Sequence, residues 1–194
     1  MTGSDETPAA GAPTFRVGLG YDSHRLVASD DAEGGTPLVI AGVLMPGSAR
    51  VAAHSDGDVA AHALTDAVLG AAGLGDIGEL FPNTDAVNAG RDSLEMLRLA
   101  VGRVRDAGWA VANADVVVIA ERHKVGPHRA PMRARLAAAL GVGPDAVFVK
   151  GKTNEGLGAI GAGEGLAAHA VAALVRVSAG GTPSADSTVG DPAG

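Results

Sequence analysis

Two patterns of histidine and carboxylate stand out in the first third of the chain. Asp22-x-His24 puts a carboxylate and an imidazole on one side of an extended backbone, because alternate residues of a strand share a face. The run His54-Ser55-Asp56-Gly57-Asp58-x-x-x-His62 leads on to Asp66, and Asp58, His62 and Asp66 fall at i, i+4 and i+8 on one helix stripe. The residues around that stripe are mainly Ala, Leu and Val, and polar groups on an apolar helix are costly to bury without partners. The chain has no cysteine, which excludes disulfides, thiolate zinc sites and a cysteine nucleophile. Any metal must therefore be held by His, Asp and Glu. Asp22, His24 and His62 offer two nitrogens and one oxygen, a set that suits zinc with an open coordination position. Asp58 or Asp66 is then placed to orient His62 through its second ring nitrogen. The plainer alternative is a turn aspartate and a surface histidine at 22–24, with a solvated stripe capped by Asp56 or Asp58.

Two glycine-rich segments follow. Gly75-Asp76-Ile77-Gly78-Glu79-Leu80-Phe81-Pro82-Asn83-Thr84-Asp85 can hydrogen-bond a polyol, or can be an ordinary connection. Lys150-Gly151-Lys152-Thr153-Asn154-Glu155-Gly156-Leu157-Gly158 follows a β-branched run. Its backbone N–H groups, lysines and Thr153 suit phosphate, and Glu155 suits a magnesium bound to that phosphate. The Walker A spacing is absent, so this is not a Walker A loop, and glycines alone do not make it a phosphate loop.

Positioning these groups falls to alternating elements. A strand is expected over Phe15–Tyr21, then a loop over about 28–36. A hairpin-like pair, Pro37–Ala41 and Val43–Leu44, flanks Gly42. Asp56-Gly57-Asp58 starts a helix that runs through Ala60 to Ala72 and is broken by Gly73, Gly75 and Gly78. A second helix runs from Asp92-Ser93 to about Ala107, with Leu94, Leu97, Val101 and Val104 on one face. Trp109–Ala120 reads as a buried strand, Pro131–Leu140 as a helix and Val147–Val149 as a strand. Gly165–Val177 is ambiguous, because alanine favours helix while Val171, Val175 and Val177 alternate. The pattern predicts an α/β (α+β) domain, a mixed sheet with helices on one face.

Composition narrows the classes further. A chain of 194 residues with 46% hydrophobic residues carries one domain of ordinary size and a packed core. A net charge of −7 and only 3% aromatics argue against nucleic acid as a partner. No apolar run is long enough to cross a membrane, and residues 1–7 lack the features of a signal or transit peptide, so a cytoplasmic protein is expected. Residues 1–13 and 179–194 are small and polar, and are expected as disordered leader and tail around a domain at 14–178.

Taken together, the blocks Arg16–His24, Ala53–Ala67 and Gly75–Pro82 closely resemble the 2-C-methyl-D-erythritol 2,4-cyclodiphosphate synthase family of the non-mevalonate isoprenoid pathway. The resemblance covers about residues 15–178. It implies a homotrimer with each active site between neighbouring subunits, zinc on Asp22, His24 and His62, and magnesium or manganese on Glu155. The implied substrate is 4-diphosphocytidyl-2-C-methyl-D-erythritol 2-phosphate, whose 2-phosphate attacks the β-phosphorus of its own diphosphate as CMP leaves. A phosphate oxygen is already anionic, so no general base is needed, and catalysis is positioning plus charge neutralisation.

By the same match, His54 and Thr153 stabilise the transition state, and Asp76 and Gly78 contact the erythritol part. Ala120, Glu121, Arg122, His123, Lys124, Val125 and Gly126 read cytosine, largely through backbone groups. Ser23, Ser55, Ile77, Phe81, Pro82, Asn83, Thr84, Asp85, Lys152 and Asn154 complete the substrate-binding set. The resemblance also makes Gly165–Val177 a strand. This chain departs from the family pattern in three places. Lys152-Thr153-Asn154 stands where consecutive threonines are usual, and Asn83 stands where an acidic residue is usual. Ala159 and Ala162, also counted with the substrate-binding set, stand where a bulky residue and an arginine are usual. With no arginine there, weak or no binding of isoprenyl diphosphates in the trimer's central cavity is expected. A binding module without turnover is the other reading, and the retained Asp22, His24, His54, His62, Thr153 and Glu155 argue against it.

Overall fold

The computed structural model describes residues 14–27, 35–82 and 84–177. The expected leader and tail, Asn83 and most of the 28–36 loop lie outside the described residues. In chain order the elements are β1 (Phe15–Val27), β2 (Thr36–Pro37), β3 (Val39–Ile40), β4 (Val43–Leu44), β5 (Arg50–Ala52), α1 (Val59–Ala72), α2 (Ile77–Leu80), α3 (Ser93–Asp106), β6 (Trp109–Ile119), α4 (Arg129–Leu140), β7 (Val147–Lys152), α5 (Gly158–Ala162) and β8 (Gly165–Arg176). Six strands form one mixed sheet in the order β2-β5-β1-β8-β6-β7, in which only β6 and β7 run parallel. β3 and β4 pair by themselves as the expected hairpin.

β1 is longer than the expected Phe15–Tyr21, because its pairing with β8 continues without a break from Phe15↔Val175 to Arg25↔Gly165. Asp22-Ser23-His24 therefore lies inside a strand. The ambiguous last segment is β8, the central strand. Its neighbours β1 and β6 satisfy its backbone on both sides, which overrides the helix preference of its alanines.

α1 begins where Asp58 accepts the N–H groups of Ala60 and Ala61, and ends at Gly73 in the left-handed region, at φ 72°. α3 is capped by Asp92, whose side chain accepts the Glu95 N–H, and it carries Arg103 and Arg105 in its last turn, where they favour the helix dipole. α4 starts two residues ahead of the expected Pro131, which sits in the first turn, where no intrahelical N–H partner is lost. Two short helices, α2 and α5, were not expected, since glycine spacing alone reads as loop.

α1 packs on β1 and β8 and is itself covered by α3. The β1 residues facing α1 are Gly18 and Gly20, followed on the same face by Asp22 and His24. A Cβ at Gly20 would lie 1.8 Å from the Ala63 carbonyl oxygen, and one at Gly18 would lie 2.0 Å from that of Ala67. On β8, Ala168, Ala170 and Ala172 are buried below the same helix. Small residues thus let helix and sheet backbones approach closely, and this sets the depth at which α1 delivers its side chains. On the opposite face of the sheet α5 reaches only the start of β8, beside Tyr21 and Ser23 of β1. Phe15, Val17, Leu19, Tyr21, Val171 and Val175 are 41–68% exposed there.

Candidate active site and metal centre

Asp22 and His24 project from β1 toward α1, and His62 comes down from the first turn of α1 to meet them. Asp22 Oδ2 lies 2.9 Å from His62 Nδ1 and 3.0 Å from His24 Nε2, and the two nitrogens are 3.2 Å apart. The ligand atoms of the three residues lie within 4.8 Å of one another. Burial works against the Asp22 charge, but hydrogen bonds and charge from His24 and His62 outweigh it and hold the carboxyl well below its ordinary range. Burial likewise works against a charged His62, and the bond to Asp22 outweighs it, so its pKa is raised. Three lone pairs aimed at one point need a positive charge among them. The raised pKa of His62 favours a proton in that place, and the two-nitrogen, one-oxygen set also fits a divalent cation there.

The stripe on α1 divides its tasks. Asp58 is fully buried and accepts N–H groups from Ala41 and Gly42 as well as from its own helix. Burial raises its pKa, while those backbone bonds act in the opposite direction. Asp66 accepts the Ile77 N–H at 2.8 Å, tying α2 to α1. Neither carboxylate reaches His62, which corrects the expectation that one of them orients its second nitrogen. Both are occupied by backbone donors, and His62 Nε2 instead meets Ser93 Oγ at 2.8 Å and Ser55 Oγ at 3.0 Å.

The triad opens onto a 180 Å³ cavity lined by His24, His54, Ser55, His62, Ile77, Gly78, Phe81, Asn88 and Met96. His54 is exposed at its edge, and its carbonyl accepts the Gly90 N–H at 2.8 Å. A second cavity of 440 Å³ joins Ala120, His123, Lys124, Val125 and Gly126 to Gly151, Lys152 and Thr153. It sits where the parallel strands β6 and β7 end side by side, at Ile119↔Lys152. In the loop beyond, Thr153 Oγ1 donates to Glu155 Oε1 at 2.6 Å, and the Asn154 N–H donates to Glu121 at 3.1 Å. Glu155 has φ 50°, and Gly156 and Gly158 are also left-handed. A non-glycine residue held in that region stores strain of about 1–3 kcal/mol, which is found where loops carry function.

The sequence profile of the YgbB family matches residues 15–175, nearly all of the described chain. The chain belongs to the YgbB family. Within it, the 2-C-methyl-D-erythritol 2,4-cyclodiphosphate synthase of Gemmatimonas aurantiaca is 56% identical over 163 residues, 84% of this chain and 95% of that protein. The structure of an IspF–CDP complex from Plasmodium falciparum has a TM-score of 0.71 at 31% identity, covering 84% of this chain and 97% of its own. The bifunctional IspDF of Campylobacter jejuni has a TM-score of 0.77 at 40% identity, and the present chain spans 42% of its length.

Against that family background, the structure gathers the sequence-derived residues into two groups. His24, His54, Ser55, His62, Ile77, Gly78 and Phe81 share the triad-side cavity, while Lys152 and Thr153 share the other with most of the Ala120–Gly126 segment. Asp76 is bound up in capping α2 through the Glu79 N–H, and Asp85 caps a single turn at Ala86–Asn88. Pro82 and Thr84 are exposed, Arg122 and Glu121 line a neighbouring hollow with Glu164, and Ser23, Ala159 and Glu164 line another. Ala162 is exposed at the end of α5. Ser93, Asn88, Met96 and Arg91, whose guanidinium lies over the Phe81 ring, are the residues that spacing missed. Ser93 directly follows a cap aspartate and reads as ordinary helix-start chemistry. Nothing local links it to a histidine 31 positions earlier.

Proposed function

We infer that this chain converts 4-diphosphocytidyl-2-C-methyl-D-erythritol 2-phosphate into 2-C-methyl-D-erythritol 2,4-cyclodiphosphate and CMP. The observation that carries the reading is the convergence of Asp22, His24 and His62 beside His54 in a chain that shares its family with the synthases. In the reaction a 2-phosphate oxygen forms a bond to the β-phosphorus, the bond between that phosphorus and the α–β bridging oxygen breaks, and the bridging oxygen leaves on CMP. No water is consumed.

Asp22, His24 and His62 would hold zinc, and Glu155 would hold magnesium or manganese. When bound, these cations supply charge neutralisation to the phosphates. The chain's own groups do the remaining work. His54 stands at the rim of the triad cavity, where its imidazole can donate to a phosphoryl oxygen. The Thr153 hydroxyl, now donated to Glu155, can turn to a phosphoryl oxygen and leave that carboxylate open for a cation. Ala120, His123, Lys124, Val125 and Gly126 line the cavity that suits the cytosine, and Lys152 and Thr153 in the same lining suit its phosphates. Ile77, Gly78 and Phe81 line the side suited to the erythritol.

The two cavities share no lining residue, yet one diphosphate must reach both. A homotrimer in which neighbouring subunits each supply one half resolves this. The apolar sheet face left uncovered by β1 and β8 supports such an assembly. The proposed setting is the cytoplasm, and no described helix is long and apolar enough to cross a membrane. The test is release of CMP from the diphosphocytidyl substrate by purified protein. Release that is abolished by chelator and restored by divalent metal is expected. No release under metal-replete conditions overturns the reading.

A further inference from the structure

Behind the metal-facing edge of His62 runs a second chain of polar groups that the reaction itself does not call on. Ser93, in the first turn of α3, is completely buried, and its Oγ lies 2.8 Å from His62 Nε2. The same hydroxyl is hydrogen-bonded to Asp56 Oδ1, and the Ser93 N–H donates to Asp56 Oδ2 at 3.0 Å. Asp56 is fixed in turn, because its own N–H donates to the Arg91 carbonyl at 3.2 Å and its carbonyl accepts the Thr36 hydroxyl at 3.1 Å. Ser55 Oγ also approaches His62 Nε2, at 3.0 Å, while accepting the Gly57 N–H at 3.2 Å.

The direction of these bonds follows from what each group can do. An ionised carboxylate only accepts, so the one hydrogen of the Ser93 hydroxyl is committed to Asp56. What Ser93 then has left for His62 is a lone pair. That requires Nε2 to carry the ring proton, and it leaves the Nδ1 lone pair facing Asp22 and His24. A free imidazole is under no such constraint and exchanges readily between its two tautomers.

We propose that Ser93, polarised by Asp56, is a positioning residue that fixes His62 as the Nε2–H tautomer and so commits Nδ1 to the metal. The proposal rests on the metal reading above and adds the residues that make the ligand competent. It also gives α3 a task in the site. The segment 54–56 is joined to 90–93 through Gly90 N–H to His54 O and through the Asp56–Ser93 bonds. His54 and His62 are therefore held to one helix start.

The experiment compares zinc affinity in the wild type, Ser93→Ala and Asp56→Asn by competition with a chromophoric chelator. It is paired with ¹⁵N-histidine NMR of the zinc-loaded wild type. The NMR is expected to show His62 protonated at Nε2. Zinc affinity is expected to fall by about tenfold in Ser93→Ala, at the low end of the usual range for a lost outer-sphere partner because Ser55 remains. Asp56→Asn, whose amide can donate as well as accept, is expected to weaken zinc in the same direction. A serine with a purely structural role would lower the melting temperature of the metal-free protein while leaving zinc affinity unchanged, and that result overturns the proposal. Protonation of His62 at Nδ1 overturns it too, and that measurement needs no variant to fold. Failure of the wild type to bind zinc at all removes the metal reading and the proposal together, whereas unchanged affinity in the variants removes the proposal alone.

Discussion

At the scale of single residues, the two metals of the proposed function would be told apart by ligand type. The His62 nitrogen belongs to a borderline-metal triad, while Glu155 is a hard oxygen on a strained loop beside a different cavity. His62→Ala is expected to lose bound zinc and nearly all turnover in a folded protein. Glu155→Gln is expected to keep stoichiometric zinc but to need much higher magnesium or manganese for the same rate. Elemental analysis with a metal titration of CMP release reads both, and equal zinc loss in the two variants would refute the separation. A pH dependence follows from the proton that Asp22 holds on His62. The pKa of His62 is raised, so the stabilising proton is fully present below the ordinary histidine value of about 6.5 and is lost as pH rises through the raised value. Zinc must displace that proton, so its apparent affinity should climb about tenfold per pH unit below the raised value and level off above it. Zinc titrations at a series of pH values check this, and a flat profile would contradict it.

At the scale of elements, the site depends on how closely α1 lies on β1. Gly20→Ala would place its Cβ 1.8 Å from the Ala63 carbonyl oxygen, so α1 must move away from the strand that carries Asp22 and His24. The expected cost is about 3 kcal/mol in stability, together with weakened zinc binding. Gly70→Ala lies on the same helix, exposed, with nothing within 4 Å of its new methyl group. It is expected to stabilise by about 0.5–1 kcal/mol and to leave zinc unchanged. Denaturant midpoints and zinc titrations of the two variants measure the contrast. The same contact marks the limit of what the sequence reveals. Asp22-x-His24 and the i, i+4, i+8 stripe are local patterns, and they were legible because period-2 and period-3.6 geometry fixes the facing of side chains. The continuation of β1 to Val27 and the strand state of β8 depend on partners far along the chain, and alanine-rich β8 carries no local mark of them. Ser93 was invisible for a similar reason, since the bond that matters crosses from α3 to α1. Asp58 and Asp66 were correctly seen as polar stripe members, but their backbone partners in the β3–β4 turn and α2 come from the fold.

At the scale of the whole molecule, the division of the site into two cavities makes the proposed trimer testable without a structure. His62→Ala damages only the metal half and Thr153→Ala only the nucleotide half. Each homotrimer is expected to be nearly inactive, while trimers assembled from an equal mixture should recover about a quarter of wild-type CMP release, because one site in four then pairs two intact halves. No recovery after co-refolding would show that each site lies within one chain. One last feature concerns how such a molecule comes into being. β8 lies between β1 and β6 and is the last of the described strands in chain order, and its Arg176 N–H reaches back to the Thr14 carbonyl at 3.0 Å. On the ribosome, β1 and β6 therefore wait with open edges until the final strand emerges, even though Asp22, His24 and His62 have long since been translated. Until β8 is made, the triad residues are present in the chain while the strand that joins β1 to β6 is missing. Unpaired strand edges are prone to wrong pairing, so this order of synthesis makes the closing of the sheet by β8 the step on which correct assembly depends.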